Sequence, residues 1–210
     1  MSGSIRKIGQ YALKAFRSAY AIADELARVD PHNADLQRLA SITLQRIGGA
    51  LVEEGNLPTA QKAFAASRRL AENLASFDPA NALWQRDLSV VFEKTGDVEK
   101  ALGNNSQALV AYQTSLLVRS RLAENEPHNH DWQSDIAMAH VKIGNVHRAA
   151  HDAHSAIASY GAAANIRQRL VTIDGANAEW QRGLATVRDK LNEAQYLLAH
   201  SGEFTSDSLE

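Results

Sequence analysis

An all-α fold of tandem helical hairpins is predicted by three features: a 48-residue period, apolar residues at helical spacing, and break residues at regular intervals. The period is visible at Leu26, Leu74, Leu122 and Leu170, and it runs without insertion or deletion from about residue 9 to about residue 197. A short unit repeated at constant spacing is typical of solenoids, in which each unit covers apolar surface of the next. The array therefore fills most of this 210-residue chain.

The first helix of each unit is predicted to begin at an asparagine, whose side chain can accept from the unpaired amides of the first turn. These asparagines are Asn33, Asn81, Asn129 and Asn177. A competing cap lies three residues earlier, at Asp30, Asp78 or Asp174. Apolar residues then recur at helical spacing, as in Trp84, Leu88 and Val91 of the second unit.

The second helix of each unit follows a break at Gly55-Asn56, at Gly103-Asn104-Asn105 or at His151-Asp152. It is predicted over residues 57–77, 106–124 and 153–173. The chain opens with a helix of this second type, at about residues 5–29, and closes with one of the first type, at 177–200. About eight helices are expected in total, with a half unit at each end.

Small and aromatic residues recur at fixed places in the hairpins and predict tight packing between helices. Glycine recurs at Gly48, Gly96 and Gly144, alanine at Ala60, Ala108 and Ala156, and a ring at Phe64, Tyr112 and Tyr160. We also expect Trp84, Trp132 and Trp180 to be buried, because apolar residues such as Leu88 and Ile136 flank them. A glutamine follows the tryptophan position in every unit, at Gln37, Gln85, Gln133 and Gln181, and could join adjacent units by hydrogen bonds.

Within the first unit, Leu44, Ile47-Gly48, Gly55-Asn56, Ala60 and Phe64 resemble the tetratricopeptide repeat (TPR) family. The family's usual unit has 34 residues, so each helix here is longer by seven residues, which is two helical turns within about 20°. The third unit departs from the family pattern at His140 and His151. The resemblance implies a right-handed superhelix of the lengthened type found in many bacterial proteins, beside signalling or effector domains.

The domain boundaries follow from the repeat. We expect one helical domain over residues 5–200, with units at about 26–73, 74–121 and 122–169 and half units at 5–25 and 170–200. Residues 1–4 and 201–210 are expected to be disordered ends outside the domain.

The resemblance also implies a function, since the family holds a peptide or a helix of another protein on the concave surface lined by its first helices. Carried over position by position, the candidate groove residues are Gln45, Glu93, Asp97, Lys100, Val141, Asn145, Arg148, Asp189 and Glu193, with Gly49 beside Gln45. Acidic residues are frequent among them, which favours a basic or amphipathic partner segment. An equally open alternative is that these charges form a solvated helix face.

Composition argues against other classes of function. The net charge is −2, with no block of either sign, and so does not indicate a nucleic-acid partner, although an RNA-binding helical repeat remains a less favoured alternative. The chain has no cysteine, no long apolar run, and no phosphate-binding or nucleophile motif. We therefore expect a cytoplasmic, non-enzymatic protein without a cofactor.

Two features leave further alternatives open. His147, His151 and His154 could meet around a metal ion, although surface histidines are common. The final helix carries Leu191, Tyr196, Leu197 and Leu198 with no following helix to cover them, so the terminal helices could pair two chains as a homodimer.

Overall fold

The structure is a computed structural model that describes residues 2–200, with side chains from Gly9 onward. The described residues form eight α-helices and no strand, which confirms the all-α prediction. The helices are α1 (Ser2–Val29), α2 (Ala34–Glu53), α3 (Leu57–Phe77), α4 (Ala82–Ala101), α5 (Asn105–Asn125), α6 (His130–Ala149), α7 (Ala153–Ile173) and α8 (Ala178–His200). Residue 1 and the predicted tail at 201–210 lie outside the described residues, whereas residues 2–4 belong to α1.

Asparagine, and not aspartate, caps the first helix of each unit. The side-chain oxygen of Asn33 accepts from the Leu36 amide at 3.2 Å, and that of Asn81 accepts from the Trp84 amide at 3.2 Å. Asn129 and Asn177 cap α6 and α8 in the same way. The competing aspartates serve elsewhere, since Asp78 and Asp174 end the preceding helices α3 and α7.

A left-handed residue separates the two helices of each hairpin. The backbone φ is 78° at Gly55 and 81° at Gly103, a region that glycine enters at little cost. His151 has φ 59° at the equivalent place in the third unit. The predicted breaks are therefore confirmed, and one of them is made by a residue with a side chain.

The helices also divide into two compact units, each larger than a 48-residue repeat, with the boundary inside α5 between Val118 and Arg119. The part before this boundary is called unit 1 and the part after it unit 2. In unit 1, α2 packs against both α1 and α3, α3 packs against α4, and α2 also contacts α4. In unit 2, α7 packs against both α6 and α8. Helices α2 and α3 of the first hairpin are antiparallel. Ser41 of α2 lies against Ser67 of α3, whereas Gly48, later in α2, lies against Phe64, which is earlier in α3.

The prediction of buried tryptophans is confirmed at Trp132 and is wrong at Trp84 and Trp180. Trp132 is 8% exposed and its indole N–H donates to Glu126 Oε2 at 3.1 Å, whereas Trp84 and Trp180 are half-buried. All three lie in the first turn of a helix, beside the connecting loop, where less of the neighbouring helix is available to cover them.

The glutamine after the tryptophan position bonds to a backbone carbonyl earlier in the chain. Gln37 Nε2 donates to the Pro31 carbonyl of the preceding loop at 2.6 Å, and Gln85 Nε2 donates to the Ala75 carbonyl of α3 at 3.1 Å.

Candidate functional site

Each complete hairpin is closed by a glycine packed against an aromatic ring. A Cβ added at Gly48 would lie 2.7 Å from the Phe64 ring, one at Gly96 would lie 2.6 Å from Tyr112, and one at Gly144 would lie 2.6 Å from Tyr160. These distances are shorter than van der Waals contact, so the three glycines allow an approach that no other residue permits. The predicted packing is confirmed, and it fixes the position of the neighbouring candidate groove residues.

Asp97 and Asn145, two candidate groove residues, accept hydrogen bonds from these rings. The Tyr112 hydroxyl donates to Asp97 Oδ1 at 2.8 Å, and the Tyr160 hydroxyl donates to Asn145 Oδ1 at 2.9 Å. In the first hairpin the ring is Phe64, which has no hydroxyl, and the matching position is Gly49, which has no acceptor. A ring with a hydroxyl therefore occurs together with an acceptor, and a ring without one occurs with glycine. The polar side chains of Asp97 and Asn145 thus serve in part to hold their own hairpins together.

The environment of the two tyrosines changes their pKa values. Burial raises the pKa of the Tyr112 hydroxyl above its ordinary 10.0, and the neighbouring charge of Asp97 raises it further. Burial also raises the pKa of Tyr160, while the positive charge of Arg148 acts in the opposite direction. Both hydroxyls therefore remain neutral donors at physiological pH.

Unit 1 contains a cleft of about 710 Å³ between α1, α2 and α4, which we call the unit 1 cleft. Gln45, Gly49 and Asp97 line it together with the apolar side chains of Phe16 and Ile42. A Cβ added at Gly49 would meet nothing within 4 Å, so the absent side chain leaves open space in the cleft. The structure thus brings Gln45, Gly49 and Asp97 together on one surface.

Glu93 and Lys100, the other candidate groove residues of unit 1, are half-buried and are not part of the lining of this cleft. Glu93 lies near enough to Tyr112 for its charge to contribute to the raised pKa of that hydroxyl. Sequence reasoning placed both residues in the groove with Asp97, and the described cleft does not include them.

Two of the candidate residues of unit 2, Arg148 and Glu193, contact each other. Arg148 Nη1 on α6 donates to Glu193 Oε1 on α8 at 3.0 Å, and both side chains are exposed. An exposed pair of this kind contributes only about 0–1 kcal/mol to stability. Val141 is half-buried and Asp189 is exposed. The pair brings these two candidate residues together between α6 and α8.

Sequence reasoning missed several residues that line the unit 1 cleft, namely Phe16, Arg46, Asp87, Val90 and Lys94. On α4 the lining residues 87, 90, 94 and 97 are spaced by three, four and three, which is one helix face. Following that whole face of α4, beyond the two positions taken from the family, would have identified Asp87, Val90 and Lys94. Asp87 is already paired, since Arg38 Nε donates to its Oδ2 at 2.6 Å and joins α2 to α4.

The alternative of a metal site at His147, His151 and His154 has no support within residues 9–200, where no three His, Asp or Glu side chains are grouped as a metal ion would require. His147 Nδ1 lies 3.4 Å from Asp152 Oδ2, and Asp152 caps α7 by accepting from the Ser155 amide at 3.0 Å. No helix in the described part of the chain is long and apolar enough to cross a membrane.

Comparison with known proteins supports the fold and does not identify a family. No protein-family model matches the sequence, and no curated protein matches it. The solved structure of the yeast histone chaperone Hif1, described as a scaffold protein recruiting protein complexes to core histones, is similar with 12% identity and a TM-score of 0.57. The similarity covers 90% of this chain and 97% of that one.

Two further solved structures have lower scores. A MamA protein structure has 15% identity, a TM-score of 0.45, and coverage of 99% of this chain and 98% of that chain. The designed helical repeat protein DHR64 has 13% identity, a TM-score of 0.41, and coverage of 93% and 99%. No argument is drawn from these two structures, and at 12% identity the similarity to the yeast protein shows the fold alone, a helical-hairpin repeat.

Proposed function

We propose that this chain is a non-catalytic scaffold of the tetratricopeptide type, in a lengthened 48-residue form, which binds a peptide or helix of a partner protein. The observation that carries the proposal is the unit 1 cleft, a large opening lined by Gln45 and Asp97 on successive first helices. We further propose that it acts in the bacterial cytoplasm as part of a larger signalling or effector protein. The similar fold of a yeast protein described as a scaffold supports an interaction role.

The lining of the cleft favours an amphipathic partner with some basic character. Phe16, Ile42 and Val90 provide apolar surface, which would bury apolar side chains of the partner. Lys94 Nζ lies 3.8 Å from Asp97 Oδ2 and both side chains are exposed, so a charged partner segment can compete for this pair. The lining carries Glu53, Asp87 and Asp97 with Arg46 and Lys94, and Asp87 is already paired with Arg38. The preference for a basic segment therefore depends on Glu53 and Asp97.

Filling the cleft tests the proposal most directly. Gly49→Leu places a side chain where a Cβ meets nothing within 4 Å, so the fold should tolerate it while the cleft is occluded. Gly161→Leu is the matched control, because Gly161 on α7 also has nothing within 4 Å and lies outside the cleft. We expect an amphipathic leucine-lysine peptide, followed by fluorescence anisotropy, to bind the parent and Gly161→Leu and to bind Gly49→Leu at least about tenfold more weakly. Equal binding to all three proteins would overturn the proposal.

The charge preference has its own test. Asp97→Asn keeps an oxygen that can accept from Tyr112, as Asn145 does for Tyr160, but removes the negative charge. We expect it to weaken binding of the leucine-lysine peptide and to lower the free energy of unfolding in urea by only about 1–1.5 kcal/mol, the difference between a charged and a neutral acceptor for the Tyr112 hydroxyl. A leucine-glutamate peptide of the same pattern should bind the parent more weakly than the basic peptide does. If the acidic peptide binds better, the predicted partner charge is wrong.

A further inference from the structure

A second cavity of unit 1 lies between α3, α4 and α5, and we call it the α4 pocket. Its volume is about 320 Å³, at the lower end of the roughly 300–1,000 Å³ that small-molecule sites occupy. It shares no lining residue with the unit 1 cleft. The lining combines charged, polar and apolar side chains, including Arg68, Phe92, Thr95, Glu99, Ser106 and Val110. The α4 pocket is thus a separate site of small-ligand size.

Two polar residues that α4 contributes to this pocket replace apolar core residues of the first hairpin. Thr95 is 8% exposed and occupies the repeat position of the buried Ile47. Glu99 is also 8% exposed, and its counterparts are Leu51, which is buried, and the half-buried His147 of the third hairpin. Burial of a hydroxyl and a carboxylate costs free energy that burial of isoleucine and leucine does not. Departures of this kind from a repeated apolar pattern are expected where a function requires them.

The turn of the second hairpin does not require this carboxylate. The Asn104 amide donates to the Glu99 carbonyl at 2.8 Å, and the Asn56 amide donates to the Leu51 carbonyl at the same 2.8 Å. The backbone therefore closes in the same way with leucine as with glutamate. The side-chain amides of Gln61 and Asn104 each donate to one carboxylate oxygen of Glu99 at 2.8 Å. These bonds hold the carboxylate at the pocket and leave it lone pairs with which to accept from a ligand.

A positive charge borders the same pocket. The Arg68 guanidinium lies over the Phe92 ring, with Cζ 5.8 Å from the ring centroid. Its Nε is shielded from solvent and makes no hydrogen bond to the described residues, although the exposed Glu72 carboxylate lies 3.5 Å away. No ion pair joins Arg68 to Glu99 within residues 9–200. Opposite charges therefore line one cavity without neutralising each other.

These charges limit what the pocket can hold. A purely anionic ligand would be repelled by Glu99 and a purely cationic one by Arg68, whereas a zwitterion is attracted by both. A molecule that carries an ammonium and a carboxylate and is small enough for about 320 Å³ is an α-amino acid. Phe92 and Val110 provide the apolar part of the lining, which suits an aliphatic side chain.

We propose that the α4 pocket binds a free aliphatic α-amino acid, with the ammonium at Glu99 and the carboxylate at Arg68. The Thr95 hydroxyl already donates to the Val91 carbonyl at 2.8 Å, so its oxygen is left to accept from the ammonium. The site goes beyond the proposed function, because the partner segment was assigned to the unit 1 cleft. An amino acid bound here stabilises the second hairpin by mass action.

L-Leucine is the probe, and titration calorimetry on the full chain is the measurement. We expect it to bind, and we expect two analogues to bind at least about tenfold more weakly: N-acetyl-L-leucine, which lacks the ammonium, and L-leucinamide, which lacks the carboxylate. Absence of leucine binding, or equal binding of either analogue, would overturn the inference. So would a helical peptide with lysine and glutamate one turn apart that binds this pocket while leucine does not, since the occupant would then be a partner protein.

The repeat supplies substitutions that the fold should tolerate. Glu99→Leu introduces the residue that the first hairpin has at this position, and Arg68→Leu introduces the residue that α5 has there, Leu116. Each should abolish leucine binding, whereas Arg69→Leu, at an exposed neighbour outside the lining, should retain it. Equal binding by Arg68→Leu and Arg69→Leu would contradict the inference, even if Glu99→Leu failed to fold. Gly49→Leu should bind leucine normally, so failure of the cleft proposal is recognised separately.

Urea unfolding separates a binding role of the carboxylate from a structural one. Glu99→Leu should be at least as stable as the parent in the absence of leucine, because it removes a buried charge from an otherwise apolar position. The parent, and not Glu99→Leu, should gain stability when leucine is added. A Glu99→Leu protein that is less stable and still binds leucine would show that the carboxylate only holds the hairpin.

Discussion

Hairpin α2–α3 and hairpin α4–α5 share one framework and differ at the polar end of a single ring. Both place a glycine against the ring and serines at the helix crossing. Only in the second does the ring carry a hydroxyl, and only there does the facing helix supply an acceptor, Asp97. The comparison teaches that a repeated position can be charged for internal reasons, so acidity at such a position is not by itself evidence of a binding surface.

Deleting the ring is expected to have the largest effect. Tyr112→Ala and Phe64→Ala remove side chains that are 2% exposed in each case, and each should lower the free energy of unfolding by about 3–5 kcal/mol. The two losses should be similar if the apolar body of the ring dominates. Urea unfolding followed by circular dichroism measures both. A loss confined to Tyr112→Ala would show that the hydroxyl, and not the ring, holds the hairpin together.

A pair of adjacent glycines separates close packing from helix propensity. Gly48→Ala puts a Cβ 2.7 Å from the Phe64 ring, and overpacking of this kind should cost about 1–3 kcal/mol. Gly49→Ala meets nothing within 4 Å, so the better helix propensity of alanine should stabilise the protein by up to about 1 kcal/mol. The opposite signs, measured by urea unfolding, are the expected result. If both substitutions stabilise the protein, the Phe64 ring is not clamped as described.

The hydroxyl interactions should depend on the acceptor. Tyr112→Phe loses a bond to a carboxylate and should cost about 1.5–3 kcal/mol, whereas Tyr160→Phe loses a bond to an amide and should cost about 0.5–1.5 kcal/mol. Equal losses would contradict the importance of the Asp97 charge.

The same tyrosine predicts a pH dependence. Because the pKa of Tyr112 is raised in the folded protein, its contribution to stability is complete below the unfolded pKa of 10.0 and is lost as the pH rises above it. Tyr112→Phe should therefore reduce the fall in stability above pH 10, with Tyr160→Phe as the comparison. An unchanged alkaline profile in Tyr112→Phe would contradict the raised pKa.

Much of this framework could be predicted from the sequence, because each cap, turn and packing residue occurs several times at the same position of the repeat. The limits of α3 and α7 follow from the Asn and Asp caps and the left-handed turns, and the Gly48 and Phe64 positions follow from their recurrence. The hydrogen bond from Tyr112 to Asp97 was missed, since it depends on two residues of different helices at one contact. The half unit at α1 was expected, but the exposure of Ile22 and Leu26 was not, because a sequence pattern identifies an apolar face and does not say what covers it.

The smallest expected effect lies in the turns between helices, where the third hairpin departs from the other two. His151 adopts φ 59° where Gly55 and Gly103 have 78° and 81°, and a left-handed conformation costs a residue with a side chain about 1 kcal/mol or more. His151→Gly should recover up to about 1 kcal/mol, and the reverse change Gly103→His should lose a similar amount. Thermal unfolding of the two variants checks the signs. Because His147 and Asp152 beside the turn keep their contact at 3.4 Å, a loss of stability in His151→Gly would mean that the imidazole itself holds the turn.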